Sequence, residues 1–202
     1  MVSDGPGDGP VSSLHCPATL VVARHARAEY VETWFSDEGG SLTGAGRDQA
    51  RRLAESLVEE RVAAVWTSDA ARAVQTGEIA AAVLGVGVRT CKSLREVFIG
   101  DLLGQPFDVD RIHEVSERWH RGDLAARFPG GESGEDVVAR HRAQLDEIAD
   151  QHSGETVLVV GHQTALGIVL PTLTGSAAPD LDNAASVRLL RDAGAWLADP
   201  AS

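Results

Sequence analysis

Apolar residues in this chain gather in short unbroken runs, separated by stretches with helical spacing. Ala18-Thr-Leu-Val-Val-Ala23 is the first such run, and Thr156-Val-Leu-Val-Val-Gly161 is a later one. Continuous runs of this kind, rich in β-branched residues, read as strands buried on both faces. Val62-Ala-Ala-Val-Trp66, Val86 to Thr90 and Val187 to Arg191 are further strand candidates. Between the runs the period lengthens. Thr43 reads as the N-cap of a helix carrying Ala50, Leu53, Ala54, Leu57 and Val58 on one face. Thr67-Ser68-Asp69 caps a second helix, with Ala70, Ala73, Val74, Gly77, Ala80, Ala81 and Leu84 facing inward and Gly85 as its stop. The spacing predicts a short helix over Val109 to Trp119 and a longer one from Gly134 to about Gln151, with Val138, His141, Leu145 and Ile148 inward. A third, more apolar helix runs from about Thr164 to Leu173. Strands alternating with helices predict an α/β fold: a three-layer α/β/α sandwich with a mostly parallel central sheet flanked by helices.

Residues 1–17 are rich in Gly, Pro, Ser and Asp and read as a disordered tail ahead of a single domain over 18–202. Arg27 to Leu42 is a polar loop containing the turn signal Asp37-Glu-Gly-Gly40, and residues 91–133 are broken up by Gly100, Gly104, Pro106, Gly122 and Pro129-Gly-Gly131.

Composition narrows the class. The 202 residues suffice for one sizeable core, and 43% of them are apolar. A net charge of −12 argues against nucleic-acid or membrane partners, both of which favour basic patches. Cys16 and Cys91 form neither a disulfide framework nor a metal-ligand spacing. The N-terminal stretch lacks a basic region followed by an apolar one, and no run is long enough to span a membrane, so a cytoplasmic protein is expected. Oligomeric state is left open, a homodimer included.

The chemistry begins where two strands end. The first apolar run delivers Arg24-His25 and the later one delivers His162, a cation and two imidazoles at the sheet edge where α/β folds bind ligands. Read in order, the chain then offers Val22-Ala-Arg-His-Ala-Arg27, Leu42-Thr-Gly-Ala-Gly-Arg-Asp-Gln-Ala50 and Thr67-Ser-Asp-Ala-Ala-Arg-Ala-Val-Gln-Thr76. Leu94-Arg-Glu-Val-Phe-Ile-Gly100, Pro129-Gly-Gly-Glu-Ser133 and Val159-Val-Gly-His-Gln163 complete the series. This order resembles the histidine phosphatase superfamily, which includes phosphoglycerate mutases and many small-metabolite phosphatases, from Leu20 to about Leu190.

The resemblance implies a phosphoglycerate mutase-like fold and a set of roles. His25 would be the nucleophile that becomes phosphohistidine, since a neutral imidazole is nucleophilic near neutral pH. Arg24, Arg72 and His162 would surround the phosphoryl oxygens, where phosphoryl transfer needs charge neutralisation and positioning. Glu96 would protonate the leaving oxygen and then activate water. Arg27 and Gln163 are candidate substrate contacts. Ala26 stands where a glycine commonly follows the Arg-His pair, which implies modest crowding. Val31 stands near the place of a phosphate-contacting asparagine, with Arg27 as its substitute. Gln163 replaces a common glycine and would narrow the pocket. Substrate specificity is expected in the loop after His25, in 98–133 and at Glu132. His15, His113, His120, His141 and His152 match no motif. His141 reads as a core-edge residue, and Gly44-Ala-Gly46 lacks the third glycine of a dinucleotide fingerprint.

The activity so implied is phosphatase hydrolysis of a phosphomonoester of a small metabolite, with no cofactor and no metal. The alternatives are phosphoglycerate mutase-type transfer, a protein phosphohistidine phosphatase and a non-catalytic phospho-ligand binder. The Glu96 segment favours a small-molecule substrate. The chain length leaves little room for the extra segments that mutases carry around the pocket.

Overall fold

The computed structural model describes residues 16–30, 33–36, 39–177 and 181–199. The expected tail up to residue 15, Val31 and the first half of the 37–40 turn lie outside the described residues. The strands are β1 (Ala18–Arg24), β2 (Val62–Thr67), β3 (Val88–Thr90), β4 (Thr156–Gly161), β5 (Ser186–Asp192) and β6 (Ala195–Ala198). They form one sheet in the order β3-β2-β4-β1-β5-β6. The first four pair in parallel, while β5 and β6 add antiparallel strands at one side.

Helices α1 (Gly44–Glu55), α2 (Ala71–Leu84), α3 (Val109–His120), α4 (Gly134–Gln151) and α5 (Gln163–Thr174) cover the sheet. Side chains alternate across a strand, so β1 and β4 serve two cores at once. Leu20, Val22, Val157 and Val159 pack with Val137, Leu145, Ile148, Leu166 and Val169 from α4 and α5. Val21, Ala23, Leu158 and Val160 pack on the other face with Leu53, Ala54, Ala73 and Ala80 from α1 and α2. Burial on both faces is the reason these two strands read as unbroken apolar runs. The three-layer α/β/α architecture is therefore present.

Several details depart from the pattern reading. The first helix ends at Glu55, so Val58, expected on its inward face, lies beyond it and is exposed. The N-cap of α2 is Ala70, one residue past the expected Thr67-Ser68-Asp69 cluster. β3 is confined to Val88–Thr90, and β6 carries no period of its own because Trp196 is its one buried residue. The β5–β6 hairpin turns through Ala193 and Gly194 with φ of 46° and 82°, the left-handed pair that suits a two-residue hairpin. Among the described residues no helix is long and apolar enough to cross a membrane.

What matters for the site is which strand ends meet. Arg24 lies opposite Gly161, and Thr67 lies opposite Val160. The carboxyl ends of β2, β4 and β1 therefore present Ser68, His162 and His25 side by side along one edge.

Candidate active site

His25 and His162 leave neighbouring strands, and their ring centroids are 5.3 Å apart. His25 is 3% exposed and His162 is fully buried. His25 Nδ1 is 2.8 Å from the Ala26 carbonyl oxygen. A carbonyl only accepts, so Nδ1 carries the proton and Nε2 presents its lone pair. Arg72 Nε donates to that lone pair over 3.2 Å, and the Tyr30 hydroxyl reaches it over 3.3 Å. Burial, with Arg72 and Arg24 close by, pushes the His25 imidazole down to about 4 against the opposing pull of the Ala26 hydrogen bond. The ring is thus neutral and nucleophilic at neutral pH.

Arg72 sits in the first turn of α2 and is buried. Thr76, one turn on, donates to the Arg72 carbonyl over 2.7 Å and accepts the Ala26 N–H over 3.0 Å. One hydroxyl thereby joins α2 to the loop that carries His25. The Ala26 methyl packs with Leu42 and Ala50, so the departure from glycine is absorbed by apolar packing. Above Arg72 lies Gly39, with φ of +59° and its backbone so close that a Cβ would occupy the position of the guanidinium. The Tyr30 ring is 5.6 Å from Arg72 Cζ, a cation–π distance.

Arg24 donates through Nη1 to the Leu181 carbonyl over 3.0 Å. Its Nε, Arg72 Nη1 and His162 Nδ1 are buried and find no hydrogen-bond partner among the described residues. A buried donor left alone costs roughly 1–3 kcal/mol, so a group of them beside His25 calls for an explanation, and an oxyanion is a chemically fitting one. His162 Nε2 is 2.6 Å from Ser68 Oγ. Burial, followed by Arg72 and His25, keeps the His162 ring well below its ordinary pKa, so it is neutral as well.

Glu96 approaches from the other side. Its Oε2 accepts the Thr164 N–H over 3.0 Å, and its Oε1 accepts those of Ala165 over 2.8 Å and Val97 over 3.0 Å. His162 is the N-cap residue of α5 but makes no side-chain cap. Glu96 supplies that cap from sixty-odd residues away. The candidate acid and the second histidine are thus fastened to the same helix start.

Arg27 and Gln163 are not drawn into this cluster by any contact among the described residues. Both are exposed. Arg27 acts through its backbone, accepting the Thr43 N–H over 3.0 Å and donating to Gln49 Oε1 over 2.9 Å, which fastens the loop to α1. Gln163 is the first residue of α5. His141 is fully buried and lies 2.9 Å through Nδ1 from the Val137 carbonyl, a core position within α4. Glu132, expected to bear on specificity, is engaged by Arg140 and by the Phe98 N–H. Sequence reasoning missed Tyr30, Ser68, Thr76 and Arg140. Ser68 and Thr76 lay inside a motif already singled out. Tyr30 is the chain's one tyrosine, placed in a polar loop without a period. Among the described residues, no three His, Cys, Asp or Glu side chains converge as metal ligands do.

A model of the histidine phosphatase superfamily (branch 1) matches residues 20–199. The chain belongs to that superfamily. One superfamily relative, the Photorhabdus laumondii protein named "Probable phosphoglycerate mutase GpmB", is 31% identical over 162 residues, 77% of this chain and 74% of that protein. A Yersinia enterocolitica protein of the same name is 34% identical over 138 residues, 66% of this chain and 63% of its own length, so less than two thirds of it is spanned. Among solved structures, mycobacterial glucosyl-3-phosphoglycerate phosphatase aligns with a TM-score of 0.76 and 25% identity, over 91% of this chain and 97% of that one. Phosphoglycerate mutase from Bacillus anthracis aligns with a TM-score of 0.75 over 92% of each chain at 21% identity, a likeness of fold alone. Both phosphatases and mutases therefore stand among the superfamily members this chain is similar to.

Proposed function

We propose that the protein is a phosphomonoesterase that hydrolyses a phosphate ester of a small metabolite through phosphohistidine at His25, without a metal. The observation that carries this reading is the His25 tautomer. Its Nε2 carries the lone pair of a neutral ring, with buried N–H groups of Arg24 and Arg72 that find no partner among the described residues close by. In the first step His25 Nε2 bonds to phosphorus, the ester P–O bond breaks, and the leaving oxygen takes a proton from Glu96. In the second step water attacks phosphorus and gives its proton to Glu96. The P–N bond breaks, its electron pair returns to Nε2, and inorganic phosphate leaves. Arg24, Arg72 and His162 hold the oxyanion through both steps. We read the second step as hydrolysis and not as retention of the phosphoryl group. The mycobacterial phosphatase, aligned over nearly its whole length, supports the same choice.

Rapid quenching with a radiolabelled phosphate ester tests the mechanism. A phosphoenzyme that is acid-labile and base-stable is expected, unchanged by chelator and absent from His25→Ala. Label persisting in that variant would place the nucleophile elsewhere. Recovery of an isomeric ester in place of inorganic phosphate would make the protein a mutase.

A further inference from the structure

Glu96 is carried by a stretch that has no regular structure beyond the 3₁₀ turn Lys92–Leu94. Its carbonyl groups still require donors. A single guanidinium supplies them. Arg140, on α4, donates through Nη1 to the carbonyls of Ser93 and Arg95, each over 2.8 Å, and through Nη2 to that of Glu96 over 3.1 Å. The other edge of the fork meets Glu132, with Nε to Oε1 at 2.7 Å and Nη2 to Oε2 at 2.9 Å. Glu132 then continues the clamp. Its Oε2 accepts the Phe98 N–H over 2.8 Å, and its own N–H donates to the Phe98 carbonyl over 2.9 Å. Glu96 is therefore bracketed on both sides by bonds that lead to one ion pair.

The pair is also shielded. Its side chains are 21% and 20% exposed, against 51% and 45% for Arg118 and Asp123, a surface fork of the ordinary weak kind. Arginine is required by the geometry, because a planar fork serves a carboxylate and several carbonyls together where an ammonium does not.

We infer that Arg140, oriented by Glu132, is a positioning residue for Glu96. It fixes the main chain at Glu96 so that the carboxylate stays on the first N–H groups of α5, two residues beyond His162. Arg140 makes none of the contacts to His25 described above, so its influence on the reaction passes through Glu96. The inference rests on the reading of Glu96 as acid and base.

The test compares two leaving groups. Glycerol 2-phosphate needs a proton on its departing oxygen, and p-nitrophenyl phosphate does not. The ratio kcat/KM reports the phosphoryl-transfer step and separates the two. Arg140→Lys is expected to lose about 10- to 100-fold on the alkyl ester and less than about 3-fold on the aryl ester, within the range of general acid catalysis. The aryl ester should also give a burst of nitrophenolate, because water attack on the phosphoenzyme is slowed. Glu132→Gln should shift both readouts in the same direction by less, and it carries the test where Arg140→Lys fails to fold. Glu96→Gln is measured alongside. If Glu96→Gln is selective for the alkyl ester while both clamp variants lose equally on both esters, Arg140 merely braces the fold and the inference fails with the acid reading intact. Equal loss on both esters in Glu96→Gln overturns the acid reading, and the positioning role with it.

Discussion

Of the residues in the loop after His25, Tyr30 reaches the imidazole through its side chain, while Arg27 is held through its backbone. The absent asparagine near Val31 pointed to Arg27 as the replacement phosphate contact, yet Arg27 is exposed and acts through its backbone. Tyr30 holds its hydroxyl 3.3 Å from His25 Nε2. Its partial burial raises the phenol above its ordinary pKa despite Arg72 and Arg24, so it is a hydrogen-bond donor throughout the neutral range. In the proposed first step, that donor would have only to turn from the nitrogen to a phosphoryl oxygen. Tyr30→Phe should lower kcat/KM by about 3- to 10-fold, the worth of one hydrogen bond, while Arg27→Ala stays near the parent value. The reverse ranking would return the contact to Arg27. The acid limb of kcat/KM should fall near pH 4, where His25 gains its proton, and not near 6.5. A limb at the higher value would mean that the ring is not kept neutral by burial.

Elements show why the site is built from loops that the periodicity does not reach. Strand ends were readable, because an apolar run stops where Arg24-His25 or His162 begins. The start of α1 was readable from Thr43, whereas the cap of α4 was not singled out: the Ser133 hydroxyl accepts the Asp136 N–H over 3.2 Å while Asp136 accepts the Ser133 N–H over 3.0 Å. That reciprocal cap fixes where α4 begins, and so where Arg140 emerges. Ser133→Ala should cost about 1 kcal/mol in chemical denaturation, and the alkyl-ester kcat/KM should fall more than the aryl one. A stability loss with no change in that ratio would separate the cap from the clamp. What no pattern announced is the cap on α5. Its donor groups and its carboxylate lie far apart in sequence, and only the tertiary fold brings Glu96 to Thr164 and Ala165. Arg140 was hidden for the same reason, being one polar residue on a helix whose apolar face drew attention.

The whole molecule carries a pH sensitivity that comes from its buried imidazoles. His25 and His141 are each held to about 4, and His162 lies well below 6.5, in all three cases chiefly by burial. In the unfolded chain such rings take up protons near 6.5. Between that value and about 4 the unfolded state therefore binds more protons than the native one, and stability falls as pH falls. Thermal unfolding midpoints should be level above pH 6.5 and decline steadily below it, with the slope reduced in His141→Gln if that variant folds. A flat profile across the window would contradict the buried neutral rings. At this scale the sequence was most legible. The doubly buried strands β1 and β4 and the helices between strands follow from period alone, whereas the β5–β6 edge does not, since one tryptophan makes no pattern.

Gly39 sets a limit of another sort. It lies in a polar loop of small residues, the kind of stretch where randomised libraries usually accept almost anything. Here its backbone rests on Arg72 in a left-handed conformation. A selection for activity should therefore return glycine alone at position 39. Gly85, equally left-handed but with open space around it, should also admit asparagine. Two glycines alike in backbone angle would thus give opposite tolerance, and a loop diversified from 39 to 42 would keep its function only when Gly39 and its neighbour Gly40, whose Cβ would collide with the Glu29 carbonyl, both stay.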